Sequence, residues 1–314
     1  MVISIKYYIR EFKKKMDITE YVKDKFGKDQ CTKMINIRRG GDNNNKGNRL
    51  EEFFAVNSIV KIIATSTDDD ISNIIVVAQD PGFVDDFVIK DKVRDHKTNY
   101  QIKNSAGVAA NWTGEMQDRF EMQQDLDTGY HNFGNASQVL LVSDSAKQKA
   151  NAQALTKLGN SAFKSQFFPD AASTFELLNR SEELRTNMEQ ICGEKNLSTL
   201  DQGVRVVLGE WKSSSDERSI ADIFQGVRDM SKPDIFKSGT KLEPPRWLLN
   251  TAEPFNNIEI VVKSVGLSVR YNGFEVNIFK ELEEPSQLIL SGVSNELKFI
   301  ELLLSLTQDD YKQI

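Results

Sequence analysis

The sequence predicts an α/β fold: a mixed β-sheet flanked by helices, followed by a mainly helical C-terminal region that ends in a β-hairpin and a helix. Apolar residues at helical spacing over 49–64 precede several short β-branched runs. A continuous apolar run at 138–143 is typical of a strand buried on both faces. Helical periodicity then dominates 175–230. Elements in this order form a sheet covered by helices.

The N-terminal half begins with mixed helical, basic material over 1–36, including a lysine run at 13–15. A Gly- and Asn-rich stretch at 38–48 predicts a loop, because these residues tolerate positive φ. The amphipathic helix 49–64 follows. Three short runs separated by charged or turn-forming residues then predict an antiparallel meander, with strands at 74–78, 87–89 and 100–103.

The remaining elements follow from apolar periodicity and turn signals. A helix at 112–126 leads to the buried strand 138–143, and Ser143 or Asp144 is expected to cap a helix at 146–158. After a Pro-rich turn, strands are predicted at 258–262 and over 267–278, the latter with the hairpin signal Asn272-Gly273, and a helix is predicted at 295–306. We expect one domain over residues 1–170 and a second region over 171–314.

Composition restricts the functional classes. The 314-residue chain is 39% hydrophobic and 27% charged, with a formal net charge of -6, so a surface that binds nucleic acid would be a local basic patch. Cys31 and Cys192 have no metal-binding spacing and are expected to be reduced, buried thiols. Neither a signal peptide nor a membrane span is predicted, which favours a cytoplasmic protein.

Candidate catalytic residues lie in two neighbouring predicted strands. Two acids, Asp85 and Asp86, precede the apolar strand 87–89, and Gln101 and Lys103 lie two residues apart on the next strand. Side chains alternate along a strand, so Gln101 and Lys103 share one face. We expect one aspartate, the Gln101 amide oxygen and the Lys103 ammonium to converge at one end of the sheet. Glu51 or Glu52 on the preceding helix could complete the group.

This combination suits phosphodiester hydrolysis. Carboxylate and amide oxygens are ligands that Mg²⁺ prefers, with Mn²⁺ as an alternative. The metal polarises the phosphate and lowers the pKa of a bound water, while a lysine stabilises the developing charge. His96 and His131 lack metal-ligand spacing and are interpreted as surface histidines. In the competing structural interpretation, Asp85 and Asp86 are turn residues and Lys103 is an exposed strand lysine.

The order of a helix glutamate, Asp-Asp at a strand start and Gln-x-Lys on the next strand resembles the PD-(D/E)xK restriction-endonuclease-like superfamily. It is most similar to the double-stranded-DNA endonuclease domain of bacterial anti-phage effectors, such as CBASS nucleases with SAVED sensors and the Lamassu nuclease subunit. The resemblance covers residues 47–143. It implies a restriction-endonuclease-like mixed sheet and a nuclease domain over 1–170.

The resemblance assigns roles to individual positions. It implies Glu51, Asp86 and Gln101 as metal ligands, with Asp85 as the fallback aspartate, and Lys103 as the catalytic lysine. The family's usual Pro-Asp is absent, and Gln101 replaces the second acid, which removes a charge from the metal site.

The resemblance also implies partners. Double-stranded DNA would be the substrate, and control would come from a homo-oligomer or a larger complex, such as one with an SMC-like ATPase. The region 171–314 would mediate assembly, because the helix ELKFIELLLSL around 299–306 is apolar over more than one face; in the alternative interpretation this helix packs on its own domain. The alternative to an endonuclease is a catalytically silent DNA-binding or scaffolding subunit of a defence complex.

Overall fold

A computed structural model describes residues 17–43, 49–105, 107–193, 195–231, 235–236, 243–263, 266–278 and 282–307. Its main strands are β1 (Ile74–Ala78), β2 (Phe87–Asp91), β3 (His96–Lys103), β4 (Asn135–Val142), β5 (Phe163–Phe167) and β6 (Arg218–Ser219). They form one sheet in the order β5-β4-β3-β2-β1-β6. The β1-β2-β3 meander is antiparallel, as predicted, whereas β4 is parallel to both β3 and β5. The predicted mixed sheet is confirmed.

Helices cover both faces of this sheet, as the sequence predicts. In chain order they are α1 (Ile18–Phe26), α2 (Lys28–Asn43), α3 (Arg49–Thr65), α4 (Asp68–Asn73), α5 (Gly114–Gly129), α6 (Ser145–Leu158), α7 (Thr174–Arg180), α8 (Glu182–Cys192), α9 (Leu197–Lys212) and α10 (Ile220–Met230). Helices α5 and α6 pack on one face around Phe120, Leu140 and Leu155. Helix α3 packs on the opposite face, where Phe54 contacts Phe87. The meander therefore lies between α3 and α5.

Helix α3 is more deeply buried than an amphipathic surface helix. Every residue from Phe53 to Val60 is buried, including the polar Asn57 and Ser58. The physical reason is that α8 and α9 pack against α3 in addition to the sheet. Core side chains from α7 to α10 thus join the same apolar cluster as Leu50 and Phe87. Residues on both sides of position 170 share this core.

Several local predictions need correction. Helix α2 continues to Asn43, so most of the predicted loop at 38–48 is helical, and 44–48 lie outside the described residues, as does the lysine run at 13–15. His96, interpreted from the sequence as a surface histidine, is half-buried at the start of β3 and contacts Ser137 Oγ at 3.1 Å. Strand β5 was not predicted, because its mostly exposed side chains at the sheet edge lack an apolar run.

The predicted cap of α6 is confirmed: Asp144 caps this helix by accepting a hydrogen bond from the Lys147 amide at 2.8 Å.

The C-terminal residues form a second, smaller sheet with its own core. Its strands β7 (Ile258–Val262), β8 (Leu267–Tyr271) and β9 (Phe274–Ile278) are antiparallel, and α11 (Arg246–Ala252), α12 (Gln287–Ser291) and α13 (Glu296–Thr307) accompany them. The predicted turn is present, with φ of 45° at Asn272 and 87° at Gly273. Phe299 and Leu303 of α13 are fully buried in this core, whereas Leu304 is 40% exposed. None of the described helices is long and apolar enough to cross a membrane.

Candidate active site

Asp86 and Gln101 are in direct contact. Asp86 immediately precedes β2, and the pairing of Phe87 with Tyr100 places it beside the C-terminal half of β3. Its Oδ2 atom accepts a 2.6 Å hydrogen bond from the Ile102 backbone amide and another from Gln101 Nε2. The structure thus brings together one predicted aspartate and the predicted glutamine at the end of the meander.

The other end of the Gln101 amide contacts a residue that the sequence did not single out. Gln101 is 2% exposed, and its Oε1 accepts a hydrogen bond from the Arg119 guanidinium of α5. The amide oxygen that was predicted as a metal ligand therefore faces an arginine. In this geometry Gln101 links the positive charge of Arg119 to the carboxylate of Asp86.

Asp85 is the more buried of the two aspartates, with 5% of its surface exposed. Burial and, second, the neighbouring Asp86 charge raise the pKa of its carboxyl to about 7, against the opposing effects of Arg119 and Lys103. A carboxyl with this pKa is half protonated near neutral pH. Asp85, the fallback aspartate of the sequence analysis, therefore has a strongly raised pKa.

Asp86 and Lys103 lie within each other's electrostatic influence. Burial raises the pKa of Asp86, although the Ile102 amide and the Lys103 ammonium act in the opposite direction. Lys103 is half-buried at the end of β3, on the same strand face as Gln101. Asp86 thus contacts the Gln101 amide nitrogen, instead of the expected amide oxygen, and lies within the electrostatic influence of Lys103.

Glu51 is placed differently. It is half-buried in the first turn of α3. This helix packs on the face of the sheet that carries Tyr100, because the ring centroids of Phe54 and Tyr100 are 4.8 Å apart. Gln101 faces α5 on the other side. Glu52 forms an ion pair with Lys212 at 2.7 Å. The helix that carries Glu51 and Glu52 thus packs on the face of the sheet opposite to the one that carries Gln101.

The residues that could hold a divalent cation are the two aspartates. Across the part of the chain that the structure describes, no three His, Cys, Asp or Glu side chains form a metal-binding group, so Glu51 does not join Asp85 and Asp86 in one. Two adjacent carboxyls with raised pKa values nevertheless fit such a cation, because its charge would favour their ionised forms. The donor set is oxygen, as Mg²⁺ and Mn²⁺ prefer.

A buried polar layer extends from this site between β3 and α5. Lys97 is fully buried and forms ion pairs with Asp127 at 2.8 Å and Asp80 at 2.9 Å. Burial alone would lower the pKa of Lys97, but these carboxylates outweigh it and raise the pKa. His131, interpreted from the sequence as a surface histidine, is half-buried, and burial and the Lys97 charge lower its pKa to about 4. Lys97 is therefore charged and His131 neutral at pH 7.

One sequence pattern could have identified the site residues of α5 that the sequence analysis did not select. Arg119, Gln123 and Asp127 recur every four residues in α5, and that spacing places them on one helix face. A charged and polar stripe of this kind is typical of a solvent-exposed face. In the structure the stripe faces the equally polar Lys97 and Gln101 of β3.

Comparison with known proteins identifies no relative of this chain. No protein-family model, no curated protein and no solved structure matches it. A functional assignment must therefore be argued from the geometry and charges of the site.

Proposed function

We propose that this chain is a metal-dependent DNA endonuclease that hydrolyses phosphodiester bonds at the end of the β2-β3 hairpin. One observation carries the proposal: two adjacent carboxyls, Asp85 and Asp86, have raised pKa values beside the cationic Lys103 and Arg119. Perturbed carboxyls next to cationic groups are typical of functional sites. Negative groups that bind a cation, beside positive groups that attract a phosphate, suit phosphodiester cleavage.

Each residue has a role in this proposal. Asp85 and Asp86 would hold Mg²⁺ or Mn²⁺, which would supply a polarised phosphate and a water of lowered pKa. Lys103 stabilises the negative charge that develops on the phosphate, because its half-buried ammonium lies near both carboxyls. Gln101 holds Asp86 in place through its amide nitrogen.

The order of elements adds support of a general kind. A helix, an antiparallel meander, a second helix and a parallel strand follow one another in the order that the sequence predicts. That resemblance alone carries the remaining proposals: double-stranded DNA as the substrate, a role as an anti-phage effector, and control by self-assembly or by a partner such as an SMC-like ATPase. Fold by itself does not specify function.

Cleavage of supercoiled plasmid in Mg²⁺, measured with and without the products of neighbouring genes, tests the proposal. The wild-type chain should cut, and Lys103→Ala should lose activity while retaining its melting temperature, because a half-exposed strand-end lysine contributes little to stability. Lys92→Ala is the control, since Lys92 is exposed at the opposite end of the hairpin. Wild-type cleavage by a folded Lys103→Ala protein would contradict the assigned mechanism.

A second candidate function is a catalytically silent DNA-binding or scaffolding subunit. It is favoured by the Gln101 amide, whose oxygen and nitrogen are both engaged, by Arg119 and Asp86 respectively. With Gln101 so engaged, the two aspartates are the ligands that remain of the predicted set of Glu51, Asp86, Gln101 and the fallback Asp85 within the described residues. Titration calorimetry with Mn²⁺ distinguishes the candidates: an endonuclease should bind the ion at pH 8, and a silent subunit should not.

A further inference from the structure

The segment that precedes the two aspartates is held by helix α5 instead of by a strand. Phe83 and Val84 lie in irregular structure between β1 and β2. Gln123 Oε1 accepts from the Phe83 amide at 2.6 Å and from the Val84 amide at 3.2 Å. Arg119 donates to the Phe83 carbonyl from Nε at 2.8 Å and from its terminal nitrogen at 2.6 Å. Both backbone groups of Phe83 are therefore bound by one helix.

The orientation of Gln123 is itself fixed. Its Nε2 donates to Asp127 Oδ1 at 2.8 Å, and both side chains are almost fully buried. Asp127 also accepts from Lys97 Nζ at 2.8 Å and from Asn99 Nδ2 at 2.6 Å. A carboxylate can only accept, so the Gln123 nitrogen must face Asp127 and its oxygen must face the two amides. The buried ion pair thus selects the rotamer that binds the segment.

Close packing leaves the segment little freedom. A Cβ added to Gly82 would overlap Gln123 Oε1 and lie 3.1 Å from Gln123 Cδ, so glycine is required for the approach. The Phe83 ring is fully buried and meets Phe26 edge-on, with centroids 5.9 Å apart. The segment is fixed through its backbone on α5 and through its side chain on α1.

We propose that Gln123 is a positioning residue, which sets the location of Asp85 and Asp86 by holding the Phe83 and Val84 amides. Asp85 follows Val84 directly, so a shift of these amides moves both carboxyls relative to Gln101 and Lys103. A metal or phosphate site is sensitive to displacements of about 0.5 Å. The catalytic consequence rests on the proposed endonuclease function, whereas the positioning itself does not.

Two variants disturb the contact from opposite sides. Gln123→Met removes the acceptor and keeps the side-chain length, and Gly82→Ala displaces Gln123 from the segment. Gln124→Met is the control, because Gln124 is the next residue in α5 and its side-chain oxygen lies 3.5 Å from Asn160 Nδ2, away from the segment. Hydrogen exchange by mass spectrometry of the full chain reports on the peptide 79–86. Titration calorimetry measures Mn²⁺ affinity, and plasmid cleavage with a DNA-binding measurement separates kcat from affinity for DNA.

Both variants should exchange at least about tenfold faster in the peptide 79–86, because a buried amide loses its acceptor. They should bind Mn²⁺ about tenfold more weakly and lose up to about 100-fold in kcat with unchanged DNA affinity, as expected of a displaced site. The control should match the wild type. If Gln123→Met does not fold, Gly82→Ala decides the test. Wild-type exchange and Mn²⁺ affinity in folded Gly82→Ala would overturn the inference.

The outcomes separate the two proposals. A wild-type chain that neither binds Mn²⁺ nor cleaves DNA would reject the endonuclease, and faster exchange at 79–86 in the variants would still support positioning by Gln123. A wild-type chain that binds Mn²⁺ and cuts, with variants that exchange, bind and cut equally well, would reject the positioning role alone.

Discussion

Replacing Asp85 with asparagine should stabilise the metal-free protein at alkaline pH. Asp85 is 5% exposed and its pKa is raised to about 7, first by burial and then by the Asp86 charge. An acid with a raised pKa in the folded state binds its proton more tightly there than in the unfolded chain. Its favourable contribution is complete below the unfolded value of 3.8 and is lost as pH rises through about 7. Above pH 7 the ionised carboxyl therefore destabilises the fold.

The size of this effect follows from the shift. A rise from 3.8 to about 7, at about 1.4 kcal/mol per pKa unit, gives an upper limit of about 4 kcal/mol at pH 8. At pH 5 the pH is above the unfolded value but still below the folded value. The destabilisation by Asp85 is therefore only about 2 kcal/mol at this pH. Asn removes the charge and keeps the shape, so Asp85→Asn should gain about 2–4 kcal/mol at pH 8 and roughly half of that at pH 5.

Urea unfolding at pH 5 and pH 8 with EDTA measures the gain. Asp118→Asn is the control, because Asp118 is exposed on α5 and its replacement should change stability by less than about 0.5 kcal/mol. Mn²⁺ should then reduce the advantage of Asp85→Asn at pH 8, since a ligand at 100 times its Kd adds about 2.7 kcal/mol to the protein that binds it. An Asp85→Asn protein less stable than the wild type at pH 8, or equally stabilised at both pH values, would refute the electrostatic reasoning.

Four further substitutions test the site and the C-terminal core. Asp86→Ala should abolish Mg²⁺-dependent cleavage and keep DNA binding in fluorescence anisotropy, because lysines and arginines supply phosphate contacts; lost binding at an unchanged melting temperature would place Asp86 in a binding surface. Gln101→Glu should strengthen Mn²⁺ binding about tenfold in calorimetry, since it adds a carboxylate beside Arg119; unchanged or weaker affinity would contradict this. Leu303→Ala should cost about 2–5 kcal/mol in urea unfolding, whereas the 40%-exposed Leu304→Ala should cost less than about 1 kcal/mol; equal costs would contradict the assigned burial.

The fold was largely predictable where one face of an element is apolar. β-branched runs identified β1 and β2, and a continuous apolar run identified β4, because burial on both faces leaves few alternatives. The first half of β3 was missed, because Lys97 and Asn99 are polar residues buried against Asp127. No local pattern indicates that α8 and α9 cover α3, since that contact depends on tertiary packing.

The candidate site was predictable only in part. Strand alternation correctly placed Gln101 and Lys103 on one face, because that property is local. The partner of the Gln101 oxygen was not predictable, since Arg119 is 18 residues away and belongs to a polar helical stripe that is typical of a solvated face. The perturbation of Asp85 depends on burial, which neighbouring sequence alone does not specify.

The location of a bound Mn²⁺ ion tests the central claim most directly. Crystals of the full chain soaked in Mn²⁺ at pH 8 should give an anomalous difference peak about 2 Å from carboxylate oxygens of Asp85 and Asp86. The same peak should be absent from Asp86→Ala crystals, in which one of the two carboxyls is missing. A wild-type crystal that binds Mn²⁺ only at other residues, or that shows no peak at this pair at pH 8, would contradict the assignment of a metal-dependent site to the end of the β2-β3 hairpin.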